Sequence, residues 1–159
     1  MRITKVKRLK EDRIRIEYET ANSNGKNDEM IFTSSDTPDP SFYEAFSDLS
    51  EYVIEMCELD CHINKIKVTG VSFSYSGEPE TMGAVITSQR DLQNSVSPLN
   101  LNTPYKILGT QGFSGDPRQL LSDKCAQALN KLSTESVLYV KGKRAQMQIF
   151  SDEANKEVS

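Results

Sequence analysis

The stretch that most constrains this fold runs from Ile63 to Ser88, where apolar residues recur at every second position in two runs joined by a tight connection. Ile66 and Val68 alternate with Lys65, Lys67 and Thr69. At Gly70 the phase shifts by one residue, and Val71, Phe73 and Tyr75 carry the pattern on. Such a shift turns every later side chain to the opposite face of a sheet unless a bulge absorbs the extra residue, and glycine suits a bulge. Ser76-Gly77-Glu78-Pro79-Glu80 has turn composition, and Met82, Ala84 and Ile86 resume the alternation on the way back. A long antiparallel hairpin is therefore expected at the heart of a small sheet.

The flanking segments extend that sheet and cover it. Residues 2–9 are basic and loosely patterned, whereas Arg13 to Glu19 reads as a half-buried strand with Ile14, Ile16 and Tyr18 on one face. A turn-rich passage, Ala21 to Asn27, leads to a third strand around Glu29 to Thr33. Asp39-Pro40 opens a helix by N-cap and first-turn proline, and Phe42, Ala45, Phe46, Leu49, Tyr52, Val53 and Met56 recur at helical spacing. Pro98 to Pro104 reads as an extended, irregular passage in which Leu99 and Leu101 face the core while the asparagines face outward, and Gly109 to Gly115 as the loosest stretch. Asp116-Pro117 opens a second helix by the same device, and Gly142 closes it.

These elements predict an α+β fold: a single domain over residues 1–143, with an antiparallel sheet of about five strands packed against two helices. A short flexible C-terminal tail is expected over 144–159. A chain of 159 residues, 36% apolar and 26% charged, is of a size and composition to bury one core. No apolar run approaches the ~20 residues a membrane helix needs, and Met1 to Arg8 lacks the apolar stretch of a signal peptide, so a bacterial cytoplasmic location and no membrane partner are expected.

No catalytic residue is nominated. The one histidine, His62, lies beside Cys57 and Cys61, but structural zinc needs four ligands, and Cys125 stands alone in a helical pattern; no metal or cofactor is expected. Carboxylates are plentiful without a spacing that singles out an acid–base pair, and Gly109, Gly112 and Gly115 follow no phosphate-loop pattern. Binding is thus favoured over catalysis, and three surfaces are candidates.

Arg2, Lys5, Lys7, Arg8, Lys10, Arg13 and Arg15 place seven cations within the first fifteen residues. With Lys65 and Lys67 they would meet across the sheet as a surface for single-stranded DNA, where Tyr18, Phe73 or Tyr75 would stack bases. The competing reading is a solvated sheet face with its aromatics in the core, and the net charge of −4 weighs towards it. Asp36 to Asp60 holds eight acids and no base, which makes Glu44, Asp48, Glu51 and Glu55 an acidic face that would imitate a phosphate backbone, or simply keep a helix wet.

The third candidate is the peptide Gln146-Met147-Gln148-Ile149-Phe150, which resembles the short segment that docks bacterial replication and repair proteins onto the DNA sliding clamp. The resemblance implies that Gln146, Met147, Ile149 and Phe150 enter an apolar groove, although Met and Ile replace the usual leucines; the alternative is a last edge strand. The chain as a whole is similar to small proteins carried by prophages of gut bacteria. That resemblance rests on Met1-Arg2-Ile3-Thr4-Lys5-Val6, Val68-Thr69-Gly70-Val71-Ser72-Phe73-Ser74-Tyr75, Pro98-Leu99-Asn100-Leu101-Asn102-Thr103-Pro104 and Arg144-Ala145-Gln146. It implies a setting of phage replication, recombination or evasion of host defence. The expectation is a non-enzymatic phage accessory protein acting on DNA-replication or recombination machinery and tethered to the clamp. The alternative is an anti-defence protein that holds a host DNA-acting or immune protein by its acidic face or sequesters a signalling nucleotide. An open sheet edge would also allow a homodimer.

Overall fold

The computed structural model describes residues 1–145, so the peptide Gln146 to Phe150 lies outside the described residues. The fold is α+β, with strands β1 (Arg2–Arg8), β2 (Ile14–Ala21), β3 (Asn27–Ser34), β4 (Ile66–Ser76), β5 (Thr81–Arg90), β6 (Leu99–Asn102) and β7 (Lys106–Ile107). Helices are α1 (Pro40–Ser47), α2 (Ser50–Met56) and α3 (Asp123–Val140). The strand order is β3-β2-β1-β4-β5-β6, with β7 also on β5, and every pairing is antiparallel.

The central hairpin forms as the alternation requires, and the pairing register slips between Val68 and Gly70, so a bulge absorbs the phase shift. Ile66, Val68, Val71 and Phe73 consequently all face the core. Gly70 is needed there because a Cβ would stand 2.9 Å from the Val6 carbonyl oxygen of the neighbouring strand. A second slip, between Ile3 and Lys5, explains the loose pattern of the first segment: Ile3 and Val6, three apart, are both buried.

The described residues hold seven strands where about five were expected, because the Pro98–Pro104 passage is not irregular throughout. Its Leu-Asn alternation pairs with β5 as β6, and the chain returns to β5 as β7 after an excursion at Thr103–Tyr105. Thr103 holds that excursion from both sides, its amide donating to the Ile86 carbonyl at 2.9 Å and its hydroxyl accepting from the Ile86 amide at 2.9 Å.

The described residues hold three α-helices where two helices were expected. The first amphipathic stripe is real, with Phe42, Ala45, Phe46, Leu49 and Val53 all buried, but the helix breaks at Asp48-Leu49. The Ser47 hydroxyl donates to the Tyr43 carbonyl at 3.2 Å, and Ser47, Asp48 and Ser50 are poor helix-interior residues because they compete for backbone groups. The second break is at the start of α3. Asp116-Pro117 begins only one tight turn, Pro117–Gln119, and α3 begins at Asp123 with the Ser122 hydroxyl accepting from the Cys125 amide at 3.2 Å. The helix then runs through Ser133–Tyr139, where the buried Ser136 hydroxyl donates to the Leu132 carbonyl at 2.7 Å.

All three helices pack on one face of the sheet. The aromatic centre of that layer is Phe42, Phe46, Phe32 and Tyr139 in edge-on and tilted contact, and the Tyr139 hydroxyl donates to the Asp36 carbonyl at 2.6 Å. Arg144 lies over the Tyr139 ring and pairs with Asp36 at 3.2 Å, and the Ala145 amide donates to the Thr37 carbonyl at 3.1 Å. The start of the segment expected to be a tail is thereby fastened beside the end of β3. Among the described residues no helix lies on the opposite face of the sheet.

Candidate nucleic-acid interface

Alternation decides which side chains reach the uncovered face. Val6 points at the helices, so Lys5 and Lys7 point away; Ile14 and Ile16 send Arg15 and Glu17 outward, and Ile66 and Val68 do the same for Lys67. Ser72 and Ser74 of β4, Thr87 and Gln89 of β5, and Asn100 and Asn102 of β6 complete a polar face. Thr87 donates to Asn102 at 2.9 Å and Gln89 to Asn100 at 3.3 Å, so the outward asparagines are held by their strand neighbours.

The seven cations near the N-terminus divide into two groups. Arg2 lies between Glu19 at 2.6 Å and Glu80 at 2.7 Å, and Arg15 sits 3.5 Å from Glu17, so both are largely neutralised within the protein. By contrast Lys5, Lys7, Arg8, Lys10, Arg13, Lys65 and Lys67 have no carboxylate within 4 Å among the described residues. Lys5, Lys7 and Arg8 stand on β1, Lys10 and Arg13 in the turn that follows it, Lys65 just before β4 and Lys67 on β4.

The backbone opens a cleft beside these residues. β1 pairs with β4 only where Lys5, Val6 and Lys7 oppose Ser72, Val71 and Gly70, so among the described residues Ile66–Thr69 has β5 on one side and no strand on the other. The gap is a cleft of about 180 Å³ lined by Arg8, Lys10, Arg13, Lys67, Asp12, Tyr43, Thr69 and Gln89. Arg8 points towards the helix layer, its guanidinium 5.0 Å from the Tyr43 ring and 5.8 Å from Phe46. Burial pushes the Tyr43 phenol above its ordinary pKa, against the opposing pull of Arg8. A shallower groove lined by Lys5, Lys7, Gly70, Ser72 and Thr87 adjoins the cleft, and Thr69 borders both.

The aromatics expected to stack bases lie on the other side. Phe73 is buried, and Tyr18 and Tyr75 pack against the core, the Tyr75 hydroxyl donating to the Ile3 carbonyl at 2.7 Å. They share the parity of the buried strand positions, and this parity, visible in the alternation, puts them under the helices. The aromatic ring that does reach the open face is Tyr105, half exposed, lying against Gly83 and within 2.8 Å of the Ser74 hydroxyl. A Cβ at Gly83 would overlap that ring. A glycine inside a strand often marks such a close approach, and this was the available sequence signal for Tyr105.

The acidic face is divided by the helix break. Lys131 of α3 bridges Glu44 at 3.2 Å and Asp48 at 3.0 Å, and these carboxylates, Asp48 foremost, raise its ammonium above the ordinary lysine value. Glu51 and Glu55 lie on α2, beyond the break, and Glu55 borders a second cleft with Lys106, Tyr52 and Cys125. Among the described residues no group of three or more His, Cys, Asp or Glu is placed to hold a metal ion. His62 accepts from the Asn64 amide at 3.2 Å, Cys57 and Cys61 are half-buried, and Cys125 is in the core, its thiol pushed up to about 11 by burial. No family of known proteins, no curated protein and no solved structure matches this chain.

Proposed function

We propose that the protein is a non-enzymatic accessory protein that binds single-stranded nucleic acid along β1 and β4. The observation that carries this reading is the segregation of charge: a chain of net charge −4 gathers Lys5, Lys7 and Lys67 on the open face and Arg8, Lys10 and Arg13 around the cleft beside it, none of them within 4 Å of a carboxylate among the described residues. Phosphates would lie against these cations, while Tyr105 and the amides of Gln89, Asn100 and Asn102 offer stacking and hydrogen bonds to bases. The uncovered sheet is broad enough for an unpaired strand to lie on. The C-terminal peptide Gln146, Met147, Ile149 and Phe150 supplies a tether to the sliding clamp in this reading, which fits the prophage setting of replication or recombination. Docking through a peptide alone is worth about micromolar affinity, so it would localise the nucleic-acid-binding domain rather than replace it. The alternative, inhibition of a host defence protein through the acidic face, has less support because Lys131 already occupies Glu44 and Asp48.

Fluorescence anisotropy with a labelled single-stranded DNA tests the proposal. Affinity should fall with salt at about −0.7 in log–log slope per phosphate engaged, and Lys5→Glu with Lys7→Glu should abolish binding while Lys124→Glu on α3 leaves it intact. Absence of binding at low salt, or equal losses in both variants, rejects the reading. For the tether, the full chain should capture the sliding clamp from solution and a chain ending at Ala145 should not; equal capture rejects it.

A further inference from the structure

We propose that the cleft where β1 parts from β4 takes a phosphate monoester, namely the phosphorylated end of a nucleic-acid strand whose following residues lie along the Lys5–Lys7 groove. This rests on the nucleic-acid reading above and adds to it a ligand group and an orientation. The first argument is charge density. Four cationic residues, Arg8, Lys10, Arg13 and Lys67, line one cleft with Asp12 as the one acid among the described residues lining it, whereas two lysines line the adjoining groove. A terminal phosphate carries about −1.5 to −2 at pH 7, against −1 for a backbone diester, so the denser cluster matches the doubly charged group.

The second argument is preorganisation. Arg8 is already stacked on Tyr43 and near Phe46, so its guanidinium need not lose freedom when an anion arrives. The turn that carries Lys10 and Arg13 holds Glu11 at φ 63° and Asp12 at φ 56°, two successive non-glycine residues in the left-handed region. Such backbone is costly and is retained where surrounding structure fixes a particular arrangement, as at ligand clamps. The third is continuity: Thr69 borders both concavities, so a strand leaving the cleft enters the groove directly. At about 180 Å³ the cleft is several times the ~30 Å³ share of a water molecule, enough for a phosphate group.

The test uses one single-stranded DNA sequence in three forms: hydroxyl at both ends, phosphate at the 5′ end, and phosphate at the 3′ end. One phosphorylated form should bind about tenfold more tightly than the hydroxyl form. Lys10→Gln with Arg13→Gln, both exposed, should erase that preference, weakening the phosphorylated form about tenfold more than the hydroxyl form. Lys5→Gln with Lys7→Gln should weaken all three forms and keep the preference. Circular dichroism confirms that each variant is folded. If all three forms bind equally, the terminal-phosphate assignment is overturned while the nucleic-acid reading stands. If none binds, both fall. If a mononucleotide binds as tightly as the phosphorylated strand, the cleft serves a free nucleotide and the groove has no part in it, which also overturns the proposal.

Discussion

Replacing Gly70 by alanine probes the bulge on which both the central hairpin and the cleft depend. The added Cβ would stand 2.9 Å from the Val6 carbonyl oxygen and 3.6 Å from the Lys7 Cα, so the obstacle is backbone rather than a side chain that could swing aside. Val6 is fully buried and its strand is paired on both sides, which leaves little room to yield. Overpacking of this kind costs about 1–3 kcal/mol, offset by about 0.4–1 kcal/mol because alanine restricts the unfolded chain. Taking the middle of each range, the net expectation is a loss of about 1.3 kcal/mol, or a fall of about 3–5 °C in Tm at this chain length. Gly25→Ala is the control: Gly25 has open space around it but sits at φ +74°, so its cost is conformational only. Thermal and urea denaturation followed by circular dichroism measure both, and an unchanged m-value would show that compactness is preserved. A Gly70→Ala protein melting within about 1 °C of the parent would refute the argument that the close approach of β1 requires glycine.

Three further outcomes are expected. Ser122→Ala removes the hydroxyl that receives the Cys125 amide at the start of the longest helix, and should cost about 0.5–2 kcal/mol by urea denaturation. Cys125, 2% exposed and with its thiol pushed up to about 11, should react with a thiol reagent near neutral pH only as fast as the protein unfolds, well behind Cys61. Asp39 caps α1 by accepting from the hydroxyl of Ser41 at 2.7 Å and its amide at 3.0 Å, which holds its carboxyl below the ordinary value. A depressed folded-state pKa makes its contribution complete above about pH 4 and lost as pH falls through the lower folded value, so urea midpoints measured from about pH 5 to pH 2.5 should decline less steeply in Asp39→Asn.

Local periodicity made the central hairpin, its bulge, β2 and the buried stripe of α1 legible before any coordinates, because each is set by residues within a few positions of one another. The bulge in β1 was not, since Ile3 and Val6 look out of phase until β2 and β4 flank them. The split between α1 and α2 and the delayed start of α3 hinge on whether Asp48-Leu49 and Leu120–Ser122 continue a helix, and propensity decides that weakly against packing. At the site, the basic composition of the first fifteen residues was plain, but its meaning was not. Which cations are neutralised depends on partners as distant as Glu80, and the gathering of Arg8, Arg13 and Lys67 depends on where β1 parts from β4. Tyr105 was hidden for the same reason: it meets Gly83 only because the edge strand is interrupted between β6 and β7.

The separation of charge across the two layers has a measurable consequence. Lys5, Lys7 and Lys67 stand on strands of the open face, while Glu51 and Glu55 are exposed on α2, on the far side of the sheet. Two packed layers put these acids roughly 20 Å from a strand lying on the open face. At that separation a pair of unit charges in water interacts by about 0.2 kcal/mol before screening, so two carboxylates facing about three phosphates oppose binding by roughly 1.2 kcal/mol. With a Debye length of about 30 Å at 0.01 M salt, roughly half survives, equivalent to about a threefold loss of affinity; at 0.15 M, where the length is about 8 Å, almost none does. Glu51→Gln with Glu55→Gln should therefore tighten single-stranded DNA binding about threefold at 0.01 M salt and leave it unchanged at 0.15 M. An equal gain at both salt concentrations would mean that these acids lie against the ligand itself, and would move the binding surface from the open sheet to the helix side.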